Sequence, residues 1–465
     1  MRPTYNIPGL SDWFEKMKTM RAATYARLQE LALAWLVSPS PHLITTALVY
    51  SGLSSTHHAT FYRLFSDASW EVDEMGERLF HALVEAFVPA GEPVHLTIDD
   101  TLTHHDGPII DAVGCHIDPV RSSKTYKIKA FGHVWVIATL QLRFPFSPRD
   151  FALPIAFRLY RTNADCEATG ATFRKKTELA EELMGMVSKW LSGRRAVLSV
   201  DSAYFCEQLL KNCPDHIEMI GRMKSNAALN GETPERAEKP KGRPRKQGHR
   251  MASLPELYAD DEGHPWLEAD IMAYRGQRRV RFKSLPAQWY GPNGPGLMRV
   301  VMVKMTAGSE DFRVYASTDP DRDPAGLLEG YAGRWSQEVT HRDLKQELGF
   351  GASGVRCARS VERMPPFIGL IYSVVVAWYA QNGCGSEHDW LPLRSWYTHK
   401  KAPSFADMIA TAQHAIRAHG LFPEYGQHDF PRNCTPPWHP YTPPGTTKPH
   451  DDDHPERETH EEIAA

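Results

Sequence analysis

The chain has 465 residues, 42% hydrophobic and 23% charged, an ordinary balance for a soluble globular protein with room for roughly two to four domains. Its net charge of -3 is unevenly placed: residues 451–465 alone carry seven acids against Arg457, which leaves residues 1–450 mildly basic and neither selects nor excludes a polyanionic partner. Seven scattered cysteines with no C-x-x-C exclude a disulfide framework and a zinc ribbon, and they fit a reducing, cytoplasmic setting.

Residues 11–90 read as helical. "MRAATYARLQELALAWL" has apolar residues at helical spacing. "PHLITTALVYSGLSSTHHATFYRLFSD" then reads as a short helix, a turn at Ser51-Gly52 and a second helix behind a Ser/Thr cluster. This pattern predicts either a helix-turn-helix, with His57, His58 and Arg63 turned to phosphate, or a small packing domain.

The texture changes at residue 93. "PVHLTIDDT" reads as a strand ending in acid, followed by the strands "AFGHVWVIATLQL" and "FALPIAFRLY". The helix "KKTELAEELMGMVSKWL" precedes "RRAVLSVDSAYF", a buried strand that ends at Asp201, and "HIEMIGRMK" supplies one more strand. Strands, a helix and further strands predict a mixed α/β sheet.

Residues 225–265 interrupt it. "PERAEKPKGRPRKQGHR" is rich in Pro, Gly and base, so it cannot bury a core and reads as an exposed loop. "KGRPRK" resembles the core of an AT-hook, whose Arg243 and Arg245 would enter a narrow minor groove; a plain basic loop on phosphate is the alternative. The runs "RRVRFKSL", "LMRVVMVKM" and "DFRVYASTD" make residues 225–327 a β-rich insertion.

Helix signals return with Asp323 as N-cap and Pro324 in the first turn, and Gly349 ends the helix. On that helix Tyr331, Arg334, Glu338 and Lys345 stand at about 0°, 300°, 340° and 320°, one narrow stripe. A solvated face with an Arg334–Glu338 pair is the plain reading. The apolar run 366–380 is shorter than the roughly 20 residues a bilayer requires, so it reads as a buried helix and no membrane is expected. A last helix lies in 388–420, and the Pro-, His- and Asp-rich tail from about residue 430 reads as disordered.

Asp99 and Asp100 in one apolar strand and Asp201 at the end of another would bring like charges together at a sheet edge. Such charges repel unless a cation intervenes. Two divalent ions about 4 Å apart would resolve the repulsion and support phosphoryl transfer, with oxygen-only ligands favouring Mg²⁺ or Mn²⁺. Glu338 would complete the shell.

Asp99-Asp100-Thr101, Asp201-Ser-Ala-Tyr204 and Tyr331-x2-Arg334-x3-Glu338-x6-Lys345 together resemble the DDE transposases of bacterial insertion sequences, in the branch with the Tyr-Arg-Glu-Lys signature. The resemblance covers roughly residues 30–385 and includes "IGRMKSN" after the second Asp. It implies an RNase H-like catalytic fold, and a triad of Asp99 or Asp100 with Asp201 and Glu338. Strand parity separates the two candidates, since Asp100 shares a face with Leu96 and Ile98 while Asp99 shares one with Thr97. Family members with Asp directly before Thr favour Asp100 and those with Asp-x-Thr favour Asp99; of the two, Asp100 is preferred here, in a metal set of Asp100, Asp201 and Glu338. Arg334 and Lys345 would hold phosphates, and Tyr331 would bond a phosphate, stack on a displaced base or pack on the sheet.

The implied order of domains is a helical, possibly DNA-binding, region (1–90), a catalytic domain in two parts (91–224 and 328–385) around the insertion (225–327), and a C-terminal helical region and tail (386–465). The implied activity is metal-dependent cleavage at transposon ends and transfer of the 3′-OH into target DNA, by at least a homodimer on double-stranded DNA. A silent DNA-binding relative and a nuclease that never joins strands are the alternatives. "THHDG" at 103–107 raises a zinc or binuclear hydrolase site as a further rival, though without the regular spacing of helical His ligands.

Overall fold

The computed structural model describes residues 7–419, apart from residues 106, 108, 124, 235–244, 274–275, 306–310 and 392–399. Five helices come first: α1 (Leu10–Lys16), α2 (Ala22–Val37), α3 (Ile44–Tyr50), α4 (Ala59–Ser66) and α5 (Val72–Phe87). The expected turn between α3 and α4 forms at Gly52, which adopts a left-handed φ of 70°. His57, His58 and Arg63 are exposed there, and Arg63 lies 3.9 Å from Asp67.

Four strands follow, β1 (Val94–His104), β2 (Gly114–Ile117), β3 (Lys129–Arg143) and β4 (Asp150–Tyr160), then helices α6 (Asn163–Thr169) and α7 (Lys176–Trp190). The chain continues through β5 (Ala196–Val200), α8 (Glu207–Lys211), β6 (Ile217–Met223), α9 (Leu254–Ala259), β7 (Leu267–Ala273), β8 (Gly276–Gln288), α10 (Tyr290–Asn293), β9 (Leu297–Lys304) and β10 (Phe312–Ser317). Helices α11 (Pro324–Gly333), α12 (Trp335–Glu347), α13 (Ala358–Trp378) and α14 (Phe405–Ala418) complete the described chain.

All ten strands form one sheet, in the order β2-β3-β1-β5-β6-β10-β9-β8-β7, with β4 also paired to β3. Strand β3 runs antiparallel to both β1 and β4, while β1, β5 and β6 are parallel, the arrangement of an RNase H-like fold. The strands after residue 225 extend this same sheet, because β10 pairs antiparallel with β6.

The alternation of β1 sets up the two faces. Leu96 and Ile98 meet Met184 and Val187 of α7 on one side. On the other, Ser199 donates to the Gly330 carbonyl of α11, and Gln337 of α12 donates to the Ile137 carbonyl at 2.8 Å. Hydroxyls of the covering helices also occupy carbonyls of edge strand β4: Thr340 bonds Ala152 and Ser373 bonds Pro154, each at 2.8 Å.

Three expectations need correction. Strand β1 does not end at its acids but continues to His104, because Thr101, Leu102 and Thr103 keep pairing with β3. The long helix predicted from Asp323 to Gly349 is two helices, with a turn at Arg334. Its ends are as expected, since Asp323 accepts from the Gly326 N–H at 2.7 Å and Gly349 takes φ 64°. The apolar run 366–380 belongs to a helical stretch, Ala358–Gly383, that by length and composition could cross a membrane; it is nearly all buried and packs on β4. The tail from residue 430 lies outside the described residues.

Candidate active site

Strand pairing brings the acids together. In the parallel register Thr97 stands beside Ser199 and Ile98 beside Val200, so Asp99 comes level with Asp201 one step further. Both share parity with Thr97 and Ser199, and therefore face α11 and α12. Asp201 is the first residue after β5, and its carboxylate accepts from the Ala203 and Tyr204 N–H groups at 2.8 and 3.0 Å. Glu338 sits in the first turn of α12, where the helix dipole favours negative charge.

Arg334 ties this face together. Its guanidinium donates to Asp99 at 3.2 Å and to Glu338 at 2.9 Å, and lies 5.4 Å from the Tyr331 ring centre. The Arg334 and Asp99 side chains are only 11% and 16% exposed. Burial pushes the Asp99 carboxyl up to about 7; Arg334 opposes the shift, while Asp201 and Asp100 add to it. Burial works against the Arg334 charge, but Asp99, Tyr331 and Glu338 outweigh it and raise its pKa. Glu338 is thus half of an ion pair with Arg334 as well as a candidate ligand.

Asp100 points the other way. It accepts from Lys176, at the start of α7, at 2.7 Å and from the Tyr204 hydroxyl at 2.6 Å. Asp100, preferred for the metal set from sequence, is thus directed to the α7 face, while Asp99 shares a face with Asp201 and is linked through Arg334 to Glu338. The physical reason is the alternation of a strand that runs on past both acids. Burial, with Asp100 beside it, raises the pKa of Tyr204 and keeps this hydroxyl a donor. Neither Lys176 nor Tyr204 was given a role from sequence; the only signal was their place at a helix start and three residues beyond Asp201.

Tyr331 is 7% exposed and packs 4.7 Å from the Tyr315 ring, among Leu327, Leu328 and Ile220. Of the roles offered from sequence, this placement matches packing on the sheet. Lys345 lies seven residues beyond Glu338, about 10 Å along α12. Burial lowers its pKa and Asp118 raises it, so its electrostatic neighbour is Asp118 rather than Glu338. Arg245 is exposed and donates to the Gln247 carbonyl at 2.7 Å, while Arg243 lies outside the described residues.

The described histidines of 103–107 have other partners. His104 pairs with Asp118 at 2.8 Å, and His105 packs 4.4 Å from the His133 ring, whose Nε2 meets the Asp111 carbonyl. Asp106 lies outside the described residues. Among the described residues no three His, Cys, Asp or Glu side chains stand close enough, as placed, to hold a metal.

A family model described as DDE superfamily endonuclease matches residues 22–283. The chain belongs to this family. The match spans Asp99, Asp100 and Asp201 but ends before α11 and α12, so the place of Glu338 rests on the geometry above. No curated protein matches the chain. Membership makes DNA the substrate class and endonucleolytic cleavage the reaction class, and the family generally uses divalent metal ions. The residues fit such an ion: Asp99, Asp201 and Glu338 offer only carboxylate oxygens, as a hard divalent cation prefers. Two of them now share the Arg334 guanidinium, the charge that an ion between them would replace.

Proposed function

We propose that this DDE endonuclease is a transposase of the Tyr-Arg-Glu-Lys branch, encoded by an insertion sequence, that cleaves the ends of its element and joins the freed 3′-OH to target DNA. The observation that carries the reading is that Asp99, level with Asp201 on the adjacent parallel strand, is joined through Arg334 to Glu338 at the start of α12. The first acid of the triad is Asp99 in this reading, and the three carboxylates would hold two Mg²⁺ or Mn²⁺ ions. When bound, such ions stabilise charge on the attacking and leaving oxygens of an in-line displacement.

The chain's own residues supply orientation and charge. Arg334, released from Asp99 and Glu338, can present its planar fork to a phosphate. Lys176 and Tyr204 fix Asp100 and so hold β1 in register beneath Asp99. Lys345 would meet phosphate further along α12, and Arg243 and Arg245 would meet it from the basic loop. The domain division set out from the sequence, a homodimer on paired double-stranded ends, and a place on the nucleoid in the cytoplasm belong to this proposal.

The test is incubation of the full chain with Mg²⁺ and DNA carrying the boundaries of its own gene. Expected are end-specific nicks and joined products that vanish in Asp201→Asn and Glu338→Gln while DNA binding persists. Nicks without joined products would make the protein a nuclease only. Undiminished joining in Glu338→Gln would remove the triad.

A further inference from the structure

Beyond the acids, the molecule presents a second surface that no part of the proposed chemistry uses. Strands β2 and β3 form a ribbon in which Cys115 pairs with Phe131 and Ile117 with Lys129, so these four side chains share one face. The opposite face packs inward: His116 lies 5.9 Å from the Tyr160 ring, and a side chain at Gly114 would run into Thr162. The outer face is bare. Phe131 is 62% exposed, and at the tip of the ribbon Tyr126 is 70% exposed. Large apolar side chains grouped on a protrusion mark an interaction surface.

Charge narrows the partner. Arg121, Lys127 and Lys129 are all exposed on this ribbon, and no carboxylate among the described residues pairs with them. The ribbon's one described acid, Asp118, is 2% exposed and already accepts from His104 and from the Val120 and Arg121 N–H groups. Unpaired cations interleaved with exposed rings suit a nucleic acid with unstacked bases: every base has a π-face for a ring, and its phosphates meet the cations.

Position names the segment of DNA. Strand β1 runs on past Asp99 to its last residue, His104, which bonds Asp118, the residue that follows β2 towards the tip of the ribbon. Five residues of strand span about 17 Å, roughly five base-pair steps of duplex. Along α12, Arg334 pairs with Asp99 at one end, and Lys345, near the other end, feels the charge of Asp118.

We propose that the β2–β3 ribbon grips the unpaired nucleotides of the DNA end being processed at Asp99, with Tyr126 and Phe131 stacking on bases and Arg121, Lys127 and Lys129 on phosphates. This rests on the reading that the acids cleave DNA, and it is tested separately from cleavage. Binding of the full chain to a fluorescent blunt duplex, and to the same duplex with a single-stranded overhang, is measured in EDTA across a salt series. Tyr126→Ala/Phe131→Ala should weaken overhang binding roughly ten- to hundredfold and blunt binding little. Arg121→Gln/Lys127→Gln/Lys129→Gln should flatten the salt slope by about 2 to 3. All five side chains are exposed, and an unchanged melting temperature would confirm that the variants fold.

Equal loss on both DNAs, or no loss, would overturn the proposal. So would a wild-type oligomer without DNA that the aromatic variant converts to monomer in sedimentation, since the face would then join two copies of the chain. Overhang-selective binding without cleavage would count against the proposed function and leave this inference standing. Cleavage with unaltered binding by both variants would do the reverse.

Discussion

Arg334 donates to Asp99 at 3.2 Å across 235 positions of sequence, and the same guanidinium reaches Glu338 at 2.9 Å. Two carboxylates that would repel are held by one buried cation. Taking one partner from such a pair leaves the other charge buried and uncompensated. Arg334→Met should therefore destabilise the metal-free protein by about 3 kcal/mol. Asp99→Asn alone should cost less, and the double variant should recover part of the loss. Urea unfolding in EDTA measures this coupling; strictly additive effects would show that the pair contributes nothing as a pair.

The two neighbouring aspartates should separate cleanly in function. Asp99→Asn should lower DNA cleavage by at least about 100-fold, the scale of removing a group that stabilises reacting charge. Asp100→Asn keeps an oxygen for only one of Tyr204 and Lys176, which use separate oxygens of Asp100, but it leaves the face of Asp99 untouched and should retain activity within about tenfold. An inactive Asp100→Asn protein beside an active Asp99→Asn protein would reverse the assignment.

Tyr331 tests whether the Tyr of the signature touches DNA or holds the helix. Tyr331→Phe keeps the packed ring against Tyr315 and should leave stability and DNA affinity nearly unchanged. Tyr331→Ala opens a cavity in the cluster around Leu327 and Leu328 and should destabilise by about 3 kcal/mol. Loss of DNA affinity in the stable Phe variant would show that the hydroxyl meets DNA.

His341 predicts a pH effect on stability. Burial pushes its imidazole down from 6.5 to about 3, and Lys345 and Arg334 add to the shift. The folded pKa lies below the unfolded one, so below pH 6.5 the unfolded chain takes up a proton that the folded chain refuses. Stability therefore falls as pH drops from 6.5 toward 3, with a limiting slope of about 1.4 kcal/mol per unit, and this site makes no contribution above 6.5. Between pH 7 and pH 5, His341→Gln should lose about 2 kcal/mol less than wild type. Urea midpoints that fall equally in both proteins would count against the prediction.

Much of this protein was legible in its residues. The apolar alternation of β1, β3 and β4 and the caps at Asp323 and Gly349 follow from local rules: a side-chain period of two, and a few residues suited to helix ends. The sequence by itself determined which segments become strands and helices, and that carboxylates from three of them could meet.

Which side chain faces which neighbour was decided only by the tertiary structure. Asp99 and Asp100 look equivalent in a row of letters, and parity says only that they face opposite ways. The packing of α7 on one side of the sheet and of α11 and α12 on the other gives Lys176 and Tyr204 to Asp100, and Arg334 to Asp99. The burial of Tyr331 against Tyr315 and the bareness of the β2–β3 ribbon have the same origin. Local periodicity assigns a residue to a face, but what covers that face comes from segments distant in sequence, and their arrival sets the charge and chemistry each side chain meets.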